Sequence, residues 1–118
     1  MTNRKGADFE RVIADYLAAA LEDDRIDRRA RNGNKDRGDI TGMRAHNQRI
    51  VVEIKNKIRL ALPEWIREAQ IEAGNDDALV GAVVHKRKGV SDPGRQFVTM
   101  EVNDWLACLY GQRFGEPS

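Results

Sequence analysis

The chain has one cysteine, Cys108, and two histidines in 118 residues. A lone cysteine excludes an internal disulfide and a cysteine-rich zinc site, and it suits a reducing compartment. No apolar run approaches the roughly 18 residues that span a bilayer, so no membrane partner is expected. The opening stretch MTNRKGADFE has basic residues but no apolar segment behind them, so a secretory signal is not expected and a cytoplasmic location is. Excess charge of one sign is missing too. Twenty basic and 19 acidic residues leave a net +1, and any attraction to nucleic acid must come from uneven distribution. Internal repeats and low-complexity stretches are absent. What remains is 41% hydrophobic and 33% charged, too apolar for disorder and of a length for a single domain over residues 1–118.

The charge is unevenly spread. From Arg25 to Arg37, six basic residues face only Asp27 and Asp36, a net +4. From Glu64 to Asp77, five acids (Glu64, Glu68, Glu72, Asp76, Asp77) face only Arg67, a net −4. A basic side can meet phosphates, although a solvated charge run is the commoner meaning of such a segment.

Hydrophobic spacing predicts the elements. Phe9, Val12, Ile13, Tyr16, Leu17, Ala20 and Leu21 recur at helical intervals. Around Arg25 to Ala30 only Ile26 is large and apolar, which suits an edge strand at best. RNGNKDRG, residues 31–38, reads as a loop. Asp39 to Met43 and Arg49 to Lys57 read as strands of an antiparallel hairpin joined by the polar turn Arg44 to Gln48. Pro63 suits the first turn of a second helix, whose apolar face ends at Gly74 and Asn75. The run LVGAVV, Leu79 to Val84, fits an interior strand, and the helix before it supplies the crossover for parallel pairing with Arg49 to Lys57. A loop containing SDPG leads to a strand over Phe97 to Val102 and a last helix, capped by Asn103, through Tyr110. The tail after Gly111 is expected to fray. The order is α(β)ββαββα, an α/β fold with one mixed sheet flanked by helices.

Alternation in RIVVEIKNK puts Ile50, Val52 and Ile54 on one face and Val51, Glu53, Lys55 and Lys57 on the other. Glu53 and Lys55 are then same-face neighbours, about 6.5 to 7 Å apart. Taken alone, a cross-strand ion pair on a solvated face is the commoner meaning of such a pair. Asp39 begins the partner strand and comes alongside Glu53, so two carboxylates and an amine converge. Carboxylates about 4 Å apart repel by roughly 4 kcal/mol at an effective dielectric near 20. Lys55 offsets one charge, and a hard divalent ion such as Mg²⁺ answers the rest. Glu10 falls inside the apolar arc of the first helix, where a carboxylate must be paired, neutral or metal-linked, or else reach out at the helix margin. Gln70 lies at the edge of the second helix's apolar face and is a further supporting candidate. His46, His85 and Cys108 have no nucleophile spacing and read as structural.

Taken in order, the helix RKGADFERVIADYL, the basic glycine-containing loop, GDI, and VVEIKNK followed by a helix and an apolar strand resemble PD-(D/E)XK nucleases, and among them the archaeal-type Holliday junction resolvases. The similarity covers roughly residues 4 to 106. It implies a restriction-endonuclease-like core and a Mg²⁺-dependent endonuclease acting on branched DNA, with Mn²⁺ as a substitute ion. By the resemblance Asp39 and Glu53 match the metal-binding acids and Lys55 the motif lysine beside the attacking water. Glu10 matches the helix glutamate that completes the site, usually through water. Arg4, Lys5, Arg28, Arg29, Arg31, Lys35, Arg37 and Lys57 match regions that meet the DNA backbone. Two positions depart from the pattern: Gly38 replaces the motif proline, expected to be harmless, and Asn32 and Asn34 stand where a serine is frequent. Paired nicks across a junction need two sites, hence a homodimer, with Ile71, Trp105, Leu109 and Tyr110 as interface candidates. Two alternatives stay open: another nuclease of this superfamily, phage- or mobile-element-encoded and broad or partner-directed, and a non-catalytic DNA-binding or assembly protein on the same fold.

Overall fold

The structure, a computed structural model, describes residues 4–29 and 38–115, and of Arg4, Lys5 and Ala7 the backbone only. Three helices flank a mixed six-stranded sheet: α1 (Arg4–Leu21), β1 (Asp27–Arg28), β2 (Ile40–Thr41), β3 (Arg44–Ala45), β4 (Gln48–Lys55), α2 (Leu62–Asn75), β5 (Val80–His85), β6 (Phe97–Thr99) and α3 (Val102–Tyr110). The sheet order is β1-β2-β4-β5-β6, with β3 also paired to β4. β5 runs parallel to β4 and antiparallel to β6, and all six of its residues are buried. It is the interior strand that its unbroken apolar run predicts. No helix among the described residues is long and apolar enough to cross a membrane.

The alternation read in β4 is what divides the core. Val52 and Ile54 pack with Phe9, Ile13 and Ala14 of α1, together with Ile26, Ile40 and Val84. Val51 turns the other way, against Ala73 and Ala78, while Trp65 and Ala69 of α2 cover Val83. α3 closes the lower end of the sheet, with Ala107 against Leu79 and Val80.

The hairpin is tighter than its polar segment suggests. Its turn is the two residues His46 and Asn47, at φ 53° and 59°, a primed-type turn that matches the twist of the flanking strands. Arg44 and Ala45 thereby join the sheet as β3 instead of remaining in the turn. α2 continues through Gly74 and Asn75, and the left-handed residue after it is Asp77, at φ 51°. Glu101, not Asn103, precedes the first turn of α3. The segment after Gly111 is held to the body as far as Gly115. Gln48 Nε2 donates to Gly111 O at 2.6 Å, Arg113 reaches Asp77 Oδ1 at 3.5 Å and donates to Ala78 O, and the Phe114 and Tyr110 rings meet at 5.6 Å.

His85 closes β5, buried between the rings of Trp65 and Phe97, with Nε2 2.7 Å from Thr99 Oγ1. Burial lowers its pKa below the ordinary 6.5. The unfolded chain therefore binds this proton more readily than the folded one, and stability that depends on neutral His85 is present above about pH 6.5 and lost as pH falls below it. Between pH 7 and pH 5 the melting temperature of the wild type should drop more steeply than that of His85→Gln; parallel slopes would contradict this role.

Candidate active site

The hairpin brings Asp39 to the end of β4 that carries Glu53 and Lys55. Ile40 pairs with Val52, and the flanking acids, Asp39 before Ile40 and Glu53 after Val52, both act by charge on Lys55. Asp39 N donates to Val52 O at 2.8 Å, and Asp39 Oδ2 accepts from Ile54 N at 2.8 Å. The side chain has thus replaced a backbone carbonyl in the ladder. This leaves Asp39 O to accept from Arg29 N at 2.9 Å, which joins β1 to the site. Asp39 is 6% exposed and Glu53 4%.

Gly38 makes this geometry accessible. Its φ is +95°, and a Cβ there would lie 2.9 Å from Val51 Cγ1 and 3.2 Å from Val52 O. Proline, held near φ −65°, cannot adopt that backbone. Glycine at position 38 is a requirement of the local fold. Gly38→Ala should cost about 1–3 kcal/mol in urea denaturation, and an unchanged midpoint would contradict the strain.

Lys55 ends β4 on the face it shares with Glu53. Its side chain is 16% exposed and Nζ donates to Glu68 Oε2 of α2 at 3.0 Å. Burial pulls the ammonium pKa down, but the hydrogen bond and charge of Glu68, then the charges of Glu53 and Asp39, outweigh it and the net direction is up. Three carboxylates therefore act on one ammonium. Glu68 was legible in the sequence only as part of the acidic segment; its position three residues after buried Trp65, on the edge of the face that covers β5, is the signal that could have singled it out.

The other expected residues fall as follows. Glu10, on α1, lies 3.6 Å from Arg28 Nε of β1 and its side chain is 15% exposed. Among the described residues, no group of three Asp, Glu, His or Cys side chains is gathered closely enough to hold a metal ion, so Glu10 does not join Asp39 and Glu53 in a single cluster. Arg29 is half-buried, and its Nε has no hydrogen-bond partner among the described residues, leaving a donor on the segment tied to Asp39. Lys57 is exposed just beyond β4. The side chains of Arg4 and Lys5, and all of Arg31, Lys35 and Arg37, lie outside the described residues. Gln70 points away: its Nε2 donates to Asp104 Oδ2 of α3 at 3.3 Å, in a groove between α2 and α3. α2 has partners on two sides, so a margin position need not face the sheet.

Asp39, Glu53 and Glu68 carry three negative charges against the one positive charge of Lys55, in surroundings where an uncompensated buried carboxylate is costly. Carboxylate oxygens suit Mg²⁺ or Mn²⁺ better than zinc. No family model, curated protein or solved structure matches the chain.

Proposed function

We propose that the protein is a metal-dependent endodeoxyribonuclease of the PD-(D/E)XK type, with a restriction-endonuclease-like core, acting on branched DNA in the manner of a Holliday junction resolvase. The observation that carries this reading is the convergence of the Asp39 and Glu53 charges on Lys55, the grouping that the resemblance implies for GDI and VVEIK. Asp39 and Glu53 would hold a Mg²⁺ ion, with Mn²⁺ as substitute; Glu10, which faces Arg28, is the further acid that the resemblance implies. Bound there, the ion supplies charge neutralisation at the phosphate and lowers the pKa of a water. The chain's own residues do the rest. Lys55 presents a fixed cation to the scissile phosphate and orients the attacking water in a partly dry site. Arg28, Arg29 and Lys57, with Arg4, Lys5, Arg31, Lys35 and Arg37, contact the DNA backbone and position the duplex without reading its sequence.

The partner copy needed for paired nicks fits the outer face of α3. Val102, Trp105 and Leu109 stand at helical spacing and are 68%, 56% and 57% exposed, with Tyr110 beside them. Ile71, exposed on α2, is a second interface candidate. A homodimer formed through this face should fall apart in Leu109→Asp, read as a halved mass by light scattering after size exclusion; a wild-type monomer at micromolar concentration would count against the dimer.

The function is tested by incubating a labelled four-way junction beside a linear duplex of the same sequence, with Mg²⁺ or with EDTA. Paired, symmetric nicks in the junction alone, lost in EDTA, are expected. Equal cutting of both would retain the nuclease and sink the junction selectivity. Tight binding without cutting would favour a DNA-binding or assembly protein on this fold.

A further inference from the structure

Resting on the nuclease reading, we infer that Glu68 is a positioning residue for Lys55, holding its ammonium toward the scissile phosphate from outside the set of acids that the nuclease motif supplies. A lysine side chain has four rotatable bonds, and the backbone restricts only the first of them. Here the selection is made from α2, through the 3.0 Å hydrogen bond between Glu68 Oε2 and Lys55 Nζ. The ammonium has three donors and Glu68 takes one, which leaves donors for a phosphate oxygen and a water.

The position of Glu68 is set by close packing of α2 on β5. Its neighbour Ala69 is fully buried, and its carbonyl presses so closely on Gly81 of β5 that a Cβ there would lie 2.3 Å from Ala69 O. β5 is in turn locked in parallel register to β4, with Lys55 opposite His85. Glu68 is thus carried on a helix that cannot slide relative to the strand bearing Lys55. Its own side chain is 42% exposed, so the carboxylate sits at the mouth of the site, where it steers Lys55 without closing access to it.

The test is steady-state and single-turnover cutting of the junction by wild type, Glu68→Ala and Glu68→Gln, with melting temperatures measured on the same preparations. Glu68→Ala should lose about 10- to 100-fold in kcat with KM nearly unchanged, the scale of a misplaced catalytic group. Glu68→Gln, which keeps an acceptor oxygen for the ammonium, should recover most of that loss. The melting temperatures of both should stay close to wild type, as expected where the removed carboxylate is solvent-exposed and Lys55 keeps the charges of Glu53 and Asp39. A wild type that cuts alongside a Glu68→Ala that cuts equally well would overturn this inference alone. A loss confined to KM, or one that Gln does not recover, would also overturn it. A wild type that cuts no DNA under Mg²⁺ or Mn²⁺ would overturn the nuclease reading and this inference with it.

Discussion

Asp39→Asn is expected to abolish the rise in melting temperature that Mg²⁺ produces in the wild type. Ligand that binds only the folded state stabilises it by about 2.7 kcal/mol at a hundred times its Kd. For a domain of this length that is a rise of roughly 10 °C. Asp39 is the informative position because its two functions separate. Oδ2 accepts from Ile54 N, and the amide oxygen of asparagine can keep that bond, so the hairpin should survive. The charge beside Glu53 does not survive. Without metal the variant should melt at or above the wild-type temperature, since like-charge repulsion between two buried carboxylates has been removed. Adding Mg²⁺ should then move it little. A wild type that does not respond to Mg²⁺ would contradict the carboxylate pair as a metal site, and an equal rise in Asp39→Asn would place the bound ion elsewhere.

The largest effect on stability is expected at Gly81. An added methyl would lie 2.3 Å from Ala69 O and 2.6 Å from Ala69 C, and neither is the end of a flexible side chain. α2 must lift from β5, which opens the packing of Trp65 and Ala69 on Val83. Overpacking of this kind costs about 1–3 kcal/mol and more when backbone must move, so Gly81→Ala should melt roughly 10 °C lower. Because Glu68 precedes the residue at the point of contact, the variant should also cut more slowly at temperatures where it is fully folded. A melting temperature within a degree or two of wild type would show that α2 is not seated as described.

Much of this architecture could be read from residue patterns because they coincide with packing faces. LVGAVV is buried on both sides, and the alternation in RIVVEIK separates α1 contacts from α2 contacts residue by residue. The errors arose where pattern and partner part company. The 44–48 segment is polar, but Asn47 and His46 accept left-handed backbone, so only two residues turn and Arg44 and Ala45 pair. Val12 and Tyr16 belong to the apolar stripe of α1, yet each is 43% exposed, because the stripe is wider than the strip of sheet beneath it. At the site, Glu53 and Lys55 were legible from strand alternation and Asp39 from the hairpin, although the bond from Ile54 N to the Asp39 side chain was not. Glu68 and Gln70 were not separable, since their roles depend on which of α2's two neighbours each side chain meets.

Single-turnover cutting of one labelled junction by wild type and Glu53→Gln, each in Mg²⁺ and in EDTA, tests the central claim most directly. Glu53 is buried on the face it shares with Lys55, and the neutral amide is nearly its equal in volume. The fold should hold while the rate falls by about 10³-fold or more, the scale of losing several kcal/mol of transition-state stabilisation. Cutting by the wild type in Mg²⁺ only, with Glu53→Gln inactive and melting at or above the wild-type temperature, is the predicted result. Cutting by Glu53→Gln at the wild-type rate, or cutting that persists in EDTA, would contradict it.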